Sequence, residues 1–267
     1  MNVALESGLL GVVQGLTEFL PVSSSGHLVL AQEALGTQHE DITFELAVHL
    51  GTLIPICIVY FSDLWQMTKA PFAERGPLSE RPATRLLLLL ILGCIPTAAL
   101  GLGFKDFFES LFDSSSTLIV SFAITGSLLY ATRFVGEGTQ EGRDLAWRNA
   151  LLIGLAQGFA ITPGISRSGT TIAVALFLGT SRDFAARFSF LLSIPAILGA
   201  VLLQASELDA NAHVDWGALA IGAAAAAITG YVALKLLIRL VRSGDFSRFA
   251  WYCWAMAGVS AWVWLSG

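Results

Sequence analysis

Charged residues are scarce in this chain of 267 residues: they make up 13% of it, against about 25% in ordinary globular domains, while 55% of the residues are hydrophobic. The net charge is -5 and no basic face is present, which excludes nucleic acid as a partner. Only three cysteines occur, Cys57, Cys94 and Cys253. They have neither ligand spacing nor a disulfide pattern, so we read them as small buried hydrophobic residues. The composition predicts an integral membrane protein.

Six segments carry no charged residue over a length that approaches the roughly 20 residues needed to cross a hydrocarbon core. They are residues 86–104, 114–132, 188–206, 216–234 and 249–267, with a shorter one at 46–62. The sequence therefore predicts an all-α integral membrane protein with six full spans in contact with membrane lipids. Residues 1–20 lack the Lys or Arg that opens a secretory signal, and we expect them to belong to the mature protein.

Two polar segments are rough copies of each other at one constant offset. Gly11, Gln14, Gly15, Ser23, Ser25 and Gly26 correspond to Gly154, Gln157, Gly158, Ser166, Ser168 and Gly169. A proline or Pro-Gly interrupts each copy, and Ser23 or Ser166 then stands where a second half-helix can begin, since serine is a favoured N-cap. Unpaired polar groups are costly in hydrocarbon, so a duplicated pair of broken polar segments indicates a site at the interface between two repeats.

The basic residues of the short loops predict the orientation, because Lys and Arg stay on the cytoplasmic side. Basic residues are concentrated in loops 69–85, 133–148 and 235–248, are absent from 33–45 and 207–215, and number one in 105–113. If six spans connect these loops in order, the polar segment at 149–180 starts and ends on the cytoplasmic side. The polar segment at 1–32 then starts and ends on the outer side.

We therefore predict a single membrane domain, 1–267, with an inverted-topology repeat. Repeat one is 1–135 with a re-entrant helical hairpin at 1–32, and repeat two is 149–267 with a re-entrant hairpin at 149–180. The alternative is that the second hairpin crosses the membrane twice, which the same loop charges permit.

The residues near the two breaks suit an anion. Two half-helix N-termini would direct unpaired N–H groups at one point, with hydroxyls from Ser23, Ser166 and Ser168 beside them. Arg167 has a planar fork that matches phosphate or carboxylate oxygens, although a structural pair with Glu18 would also explain it.

Gln14 and Glu18 are four residues apart and share a helix face. They could present an amide and a carboxylate oxygen to a divalent cation, Mg²⁺ or Ca²⁺, or Glu18 could act as a base; a polar pair that packs the hairpin is the alternative. His27 follows Ser24 by three residues, near enough to exchange a proton with it, although an interfacial histidine is the alternative. A hydroxyl, a base and a guanidinium together favour phosphoryl transfer.

The sequence also resembles the undecaprenyl-diphosphate phosphatases, known as bacitracin-resistance proteins. The resemblance covers nearly the whole chain and rests on QGLTEFLPVSSSGH at 14–27, PGISRSGTT at 163–171 and FSFLLSIP at 188–195. It implies removal of the terminal phosphate from undecaprenyl diphosphate, which regenerates the lipid carrier for cell-wall synthesis and gives bacitracin resistance. It also implies a divalent metal, a homodimer, and an active site open to the outer, periplasmic face of the bacterial inner membrane.

Individual roles are carried over on matching positions. His27 falls on the family's essential histidine, and Ser24 falls on a serine for which a nucleophilic role has been proposed. Gln14 and Glu18 fall on its acidic/amide motif; Ser166, Arg167 and Thr171 fall on its phosphate-binding signature. Gln14 stands where some members have glutamate, and an amide is the weaker cation ligand.

The competing hypothesis is a transporter. Inverted repeats with broken helices also build alternating-access carriers, so the chain could be a flippase of undecaprenyl phosphate across the inner membrane. Ser24 and His27 favour an enzyme, because a phosphate carrier needs the arginine but no nucleophile beside a base.

Overall fold

The regular structure of the chain is helical. The computed structural model describes residues 2–36, 42–112, 115–206 and 215–266, and outside its helices these ranges hold one isolated bridge, between Gln140 and Thr180. The prediction of an all-α protein is confirmed. Parts of two predicted outer loops, at residues 37–41 and 207–214, lie outside the described residues.

Twelve α-helices are found in the described ranges. They are α1 Val3–Phe19, α2 Ser24–Leu35, α3 Ile42–Val59, α4 Phe61–Ala73, α5 Pro82–Gly103, α6 Lys105–Ser110, α7 Ser115–Ala131, α8 Trp147–Phe159, α9 Arg167–Phe177, α10 Arg182–Ala205, α11 Trp216–Ser243 and α12 Phe249–Ser266. Short 3-10 turns lie at Leu78–Glu80, Thr132–Phe134 and Asp245–Arg248.

Several of these helices have the length and composition of membrane spans. Four described helices qualify, namely α5, α7 with its 3-10 turn, α10 and α11, and α3 with α4 makes a fifth if the pair is counted as one span. The chain is therefore a multi-pass membrane protein. Helices α3 and α4 are bent by 77° at their junction.

Several segments that the sequence analysis placed in loops are partly helical, among them α6 at Lys105–Ser110. The basic segment that begins at Lys69 starts within α4, and α11 continues past Leu234 to Ser243. Lys, Arg and Leu are good helix formers, so charge alone does not end a helix at the edge of an apolar run. The helix α11 ends instead at Gly244, whose φ of 82° is the left-handed conformation that glycine adopts without strain.

Two helical hairpins contain the duplicated polar segments. The first is α1 and α2, broken at residues 20–23, and the second is α8 and α9, broken at residues 160–166. All four helices have 17 residues or fewer, below the roughly 20 needed for a full crossing. The breaks predicted from proline and serine are thus present.

Glycines let each hairpin approach a helix of the other half. A Cβ at Gly11 of α1 would overlap the carbonyl oxygen of Gly222 in α11, and a Cβ at Gly154 of α8 would overlap that of Gly93 in α5. One turn further along, Gly15 contacts Thr229, and Gly158 contacts Leu100 in the same manner. The two hairpins are therefore seated by matching contacts, α1 on α11 and α8 on α5.

We predict that Gly154→Ala destabilises the protein by about 1–3 kcal/mol, because the added methyl group must force α8 away from α5. The matched control is Gly258→Ala in α12, where a Cβ would have no atom within 4 Å. Thermal unfolding in detergent should show a lower midpoint for the first variant and an equal or slightly higher one for the second. Equal midpoints for both variants would contradict the close contact.

Candidate active site

The tips of the two hairpins contact each other. A Cβ at Gly169, in the first turn of α9, would lie 3.2 Å from the Cβ of Pro21 in the break of hairpin one. Reciprocally, a Cβ at Gly26, in the first turn of α2, would lie 3.2 Å from the Cα of Gly164 in the break of hairpin two. Each break thus packs on the start of the other hairpin's second helix, so the N-termini of α2 and α9 converge.

Both of these N-termini are capped in the same way. Ser23 and Ser166 each accept a hydrogen bond at Oγ from the backbone N–H three residues later, at 3.4 and 3.1 Å. Each hydroxyl also lies 3.3 Å from the serine hydroxyl two residues later. The serine N-caps that the sequence predicted are present in both copies.

Glu18, near the end of α1, is the carboxylate at which the two tips meet. Its side chain is only 4% exposed, and Oε1 accepts a hydrogen bond from the guanidinium of Arg167. The other oxygen, Oε2, accepts from Ser24 at 2.6 Å and from the amide of Gln14 at 3.1 Å, and His49 Nε2 lies 4.0 Å away. The ion pair between Arg167 and Glu18, which the sequence analysis held open, is present here.

Ser24 and Arg167 are the first residues of α2 and α9 and occupy equivalent positions in the two copies. The carboxylate of Glu18 therefore binds the residue at the same position in both copies, Ser24 in the first and Arg167 in the second. The hydroxyl and the guanidinium are kept within reach of a single small group, which is the arrangement that phosphoryl transfer requires of a nucleophile and a charge-stabilising group.

His27 has a different partner from the one we expected. Its Nδ1 lies 2.8 Å from the carbonyl oxygen of Ser23, and because a carbonyl can only accept, Nδ1 carries the hydrogen. In the neutral ring, Nε2 then accepts from the hydroxyl of Tyr252 in α12, 2.7 Å away. The Ser24 hydroxyl donates to Glu18, so the structure pairs Ser24 with Glu18 and not with His27.

Tyr252 was missed by the sequence analysis. The His27 ring stacks on the Tyr252 ring with centroids 5.6 Å apart and makes a T-shaped contact with the ring of Phe122 of α7. Tyr252 is 225 residues away along the chain, in the tryptophan-rich helix α12. No local pattern marks such a partner.

Residues of α7 and α12 hold the two breaks. Thr125 Oγ1 donates to the carbonyl of Gly164 at 3.1 Å and accepts from the N–H of Ser166 at 3.2 Å. Cys253 is fully buried, and its Sγ lies 3.4 Å from the carbonyl oxygen of Pro21. Thus α7 fixes the tip of hairpin two and α12 that of hairpin one.

Ser23 has an uncommon backbone conformation. Its φ is 67°, and it is the one non-glycine residue among those described with a positive φ. Such a conformation costs about 1–3 kcal/mol and persists where neighbours enforce it. The bond from His27 to its carbonyl and the cap made by its hydroxyl supply that enforcement.

The space beside Glu18 is small. A cavity of about 10 Å³ is lined by Glu18, Arg167, Ser168 and Thr171, together with residues of α3 and α10. Thr171 is buried, and its hydroxyl bonds to the carbonyl of Arg167 at 2.9 Å. This volume is about that of one water, so a phosphate group needs more room than the cavity offers here.

The donors available to a divalent cation are few. The described residues contain no group of three or more His, Cys, Asp or Glu placed to hold a metal. Glu18 offers carboxylate oxygens, and the buried Oε1 of Gln14 has no hydrogen-bond partner. These oxygen donors suit Mg²⁺ or Ca²⁺ if the substrate's phosphate oxygens and water supply most of its ligands.

Comparison with known proteins places the chain among its relatives. Residues 7–259 match the protein family described as bacitracin resistance protein BacA. The chain belongs to this family. It is similar to the undecaprenyl-diphosphatase of Carboxydothermus hydrogenoformans, with 45% identity over 93% of this chain and 92% of the relative. It is also similar to the undecaprenyl-diphosphatase of Desulfatibacillum aliphaticivorans, with 44% identity, and to that of Desulfosudis oleivorans, with 45% identity; these matches cover 94% and 97% of this chain and 95% and 98% of the relatives.

For this BacA family member we predict that Tyr252→Phe lowers turnover several-fold and leaves the thermal midpoint nearly unchanged. The ring stack on His27 is kept, whereas the hydroxyl that fixes Nε2 is lost. Tyr231→Phe on α11, an exposed tyrosine, is the matched control and should retain normal turnover. Unchanged turnover in both variants would show that the bond from Tyr252 does not position His27 for catalysis.

Proposed function

We propose that this protein hydrolyses the terminal phosphate of undecaprenyl diphosphate and returns undecaprenyl phosphate to cell-wall synthesis. The observation that carries the proposal is the buried carboxylate of Glu18, which both hairpin tips share through Ser24 and Arg167. The names of the similar proteins, all undecaprenyl-diphosphatases, support the substrate. Bacitracin resistance is part of the proposal, because the family that the chain matches is described by that property.

The substrate's phosphates would replace the carboxylate as the partner of Arg167. The guanidinium would bind two phosphate oxygens, and the capped N-termini of α2 and α9 would add N–H groups and positive dipole ends. The hydroxyls of Ser23, Ser166 and Ser168 lie at these N-termini, and Thr171 lies one turn into α9. These residues form the proposed phosphate-binding set.

In the chemical step, Ser24 Oγ attacks the terminal phosphorus while Glu18 accepts its proton. The new Oγ–P bond replaces the bond between that phosphorus and the bridging oxygen, and undecaprenyl phosphate leaves with the electron pair. Water then cleaves the phosphoserine and releases inorganic phosphate. The alternative is direct attack by water with Glu18 as base, without a phosphoserine.

His27 is proposed to act beside this step. Its bond to the Ser23 carbonyl keeps the first turn of α2 aimed at the site, and its ring is the second group able to exchange a proton there. Glu18, with Gln14, would hold Mg²⁺ or Ca²⁺. Such a cation supplies positive charge that stabilises the phosphate oxygens.

The proposal includes six spans and two re-entrant hairpins in an inverted repeat. Support comes from the short hairpin helices, from the reciprocal tip contacts and from the matching glycine contacts of α1 and α8. With the loop charges, this arrangement brings hairpin one in from the outer face and hairpin two from the cytoplasmic face. The site is proposed to open to the periplasmic side of the bacterial inner membrane, and a homodimer is part of the same proposal.

The test is phosphate release by purified protein in detergent with undecaprenyl diphosphate and Mg²⁺. Wild type should release inorganic phosphate, and Arg167→Ala should reduce the rate at least about a thousandfold, as expected for loss of a transition-state charge partner. Arg167→Lys should recover little, because a point charge does not replace the fork. Absence of release by wild type would leave lipid transport as the better reading.

The two chemical routes predict different results for one serine. If Ser24 is the nucleophile, Ser24→Ala should abolish turnover, and rapid acid quench of wild type should trap a phosphoserine at position 24. Ser25→Ala is the matched control, because the hydroxyl of Ser25 pairs with that of Ser23 and not with Glu18 among the described contacts. Substantial turnover by Ser24→Ala would show that water attacks directly.

A further inference from the structure

A second, larger cavity lies at the end of the bundle that the loop charges assign to the cytoplasm. Its volume is about 520 Å³, and it is formed by the end of α3, the start of α4, the start of α10 and the last turns of α11. Four cationic side chains line it, namely Arg187, Lys235, Arg239 and Arg242. Three of them lie on the part of α11 that continues past the apolar span.

The carboxylates of this cavity are already engaged. Asp63 pairs with Arg187, and Asp183 pairs with Arg242. The third carboxylate, Glu141, accepts a hydrogen bond from Ser181 at 2.7 Å. The four cations and three carboxylates of the lining therefore leave one more positive than negative charge.

Arg187 and Arg242 are ion-paired, so Lys235 and Arg239 are the two remaining cationic residues of the lining. They are one helical turn apart, so they project from the same face of α11. Among the described contacts, neither has a carboxylate partner, and the contact shown for Lys235 is the ring of Tyr231, 5.7 Å from Nζ. In addition, Nε of Arg187 is buried without a hydrogen-bond partner. Two cationic side chains, Lys235 and Arg239, thus line one cavity without an ion-pair partner among the described contacts.

An aromatic layer separates this cavity from the carboxylate site. Phe19 and Phe190 line the small cavity beside Glu18, and Tyr60 lines the large one. Ring centroids are 5.9 Å apart between Phe19 and Phe190 and 6.2 Å apart between Phe190 and Tyr60. A ligand in the large cavity would therefore not touch Glu18 or Arg167.

We propose that the large cavity is a second binding site, for a phosphate group, and that Lys235 and Arg239 are its principal ligands. Guanidinium forks beside an ammonium suit the oxygens of a phosphate. The source of the phosphate is either inorganic phosphate or the head group of an anionic phospholipid from the cytoplasmic leaflet, and the volume accommodates both.

Binding is tested without substrate, so the result does not depend on the proposed hydrolysis. The protein carries Arg167→Ala to remove phosphate binding at the first site, and radiolabelled inorganic phosphate is measured by equilibrium dialysis in phospholipid-free detergent. Lys235→Gln with Arg239→Gln should weaken binding about tenfold or more, through loss of two charge-assisted contacts. Each single variant should show a smaller loss.

The matched control is Arg75→Gln with Arg133→Gln, which removes two exposed cations outside the cavity. Its phosphate affinity should be that of the parent protein. A second arm replaces inorganic phosphate with nanodiscs of phosphatidylglycerol or phosphatidylcholine and measures the thermal midpoint. A phosphatidylglycerol-specific rise that disappears in the cavity variant identifies the lipid head group as the ligand.

Two results would overturn the proposal. One is an equal loss of phosphate affinity, and of the rise in thermal midpoint with phosphatidylglycerol, in the cavity variant and the control. That result would mean that the cavity has no specific role. The other is a complete loss of phosphate and lipid effects in Arg167→Ala alone, which would place all binding at the first site. Both conclusions require that the cavity variant and the control variant have the same unfolding midpoint in plain detergent as the Arg167→Ala protein from which they are made.

Discussion

The constraint on which the structure depends is the burial of one carboxylate among apolar helices. An isolated charge there would cost several kcal/mol, so Glu18 has to be surrounded by donors. Arg167, Ser24 and Gln14 supply them from three different helices. Their need for a common partner draws α1, α2 and α9 together, and the hairpin tips have to meet in order to satisfy it.

The glycine contacts explain how the tips come close enough. Gly11 and Gly154 remove the side chains that would keep α1 from α11 and α8 from α5. Those two helix pairs seat the hairpins, and Thr125 and Cys253 then hold the breaks from α7 and α12. Small residues determine the position of the hairpins, whereas polar residues determine what meets at their tips.

Much of this could be predicted from the sequence because the duplicated motif carries local signals. Proline, glycine and serine mark a helix break and an N-cap within a few residues, so both hairpins and both caps were found. The pairing of Arg167 with Glu18 could be named because few charges exist to pair. The partner of His27 could not be predicted, since Tyr252 approaches through packing of α12 against α7. The extension of α11 was missed because hydropathy reports where a helix leaves an apolar environment and not where its backbone stops.

The rings of Phe19, Phe190 and Tyr60 have an electrical consequence for the membrane. Polar side chains line the cavities on both sides of that layer, beside Glu18 and around Lys235. A continuous file of water between the two would conduct protons across the membrane. Phe190 contacts the rings of both Phe19 and Tyr60, so three apolar rings stand between the two groups of charged side chains and interrupt such a file.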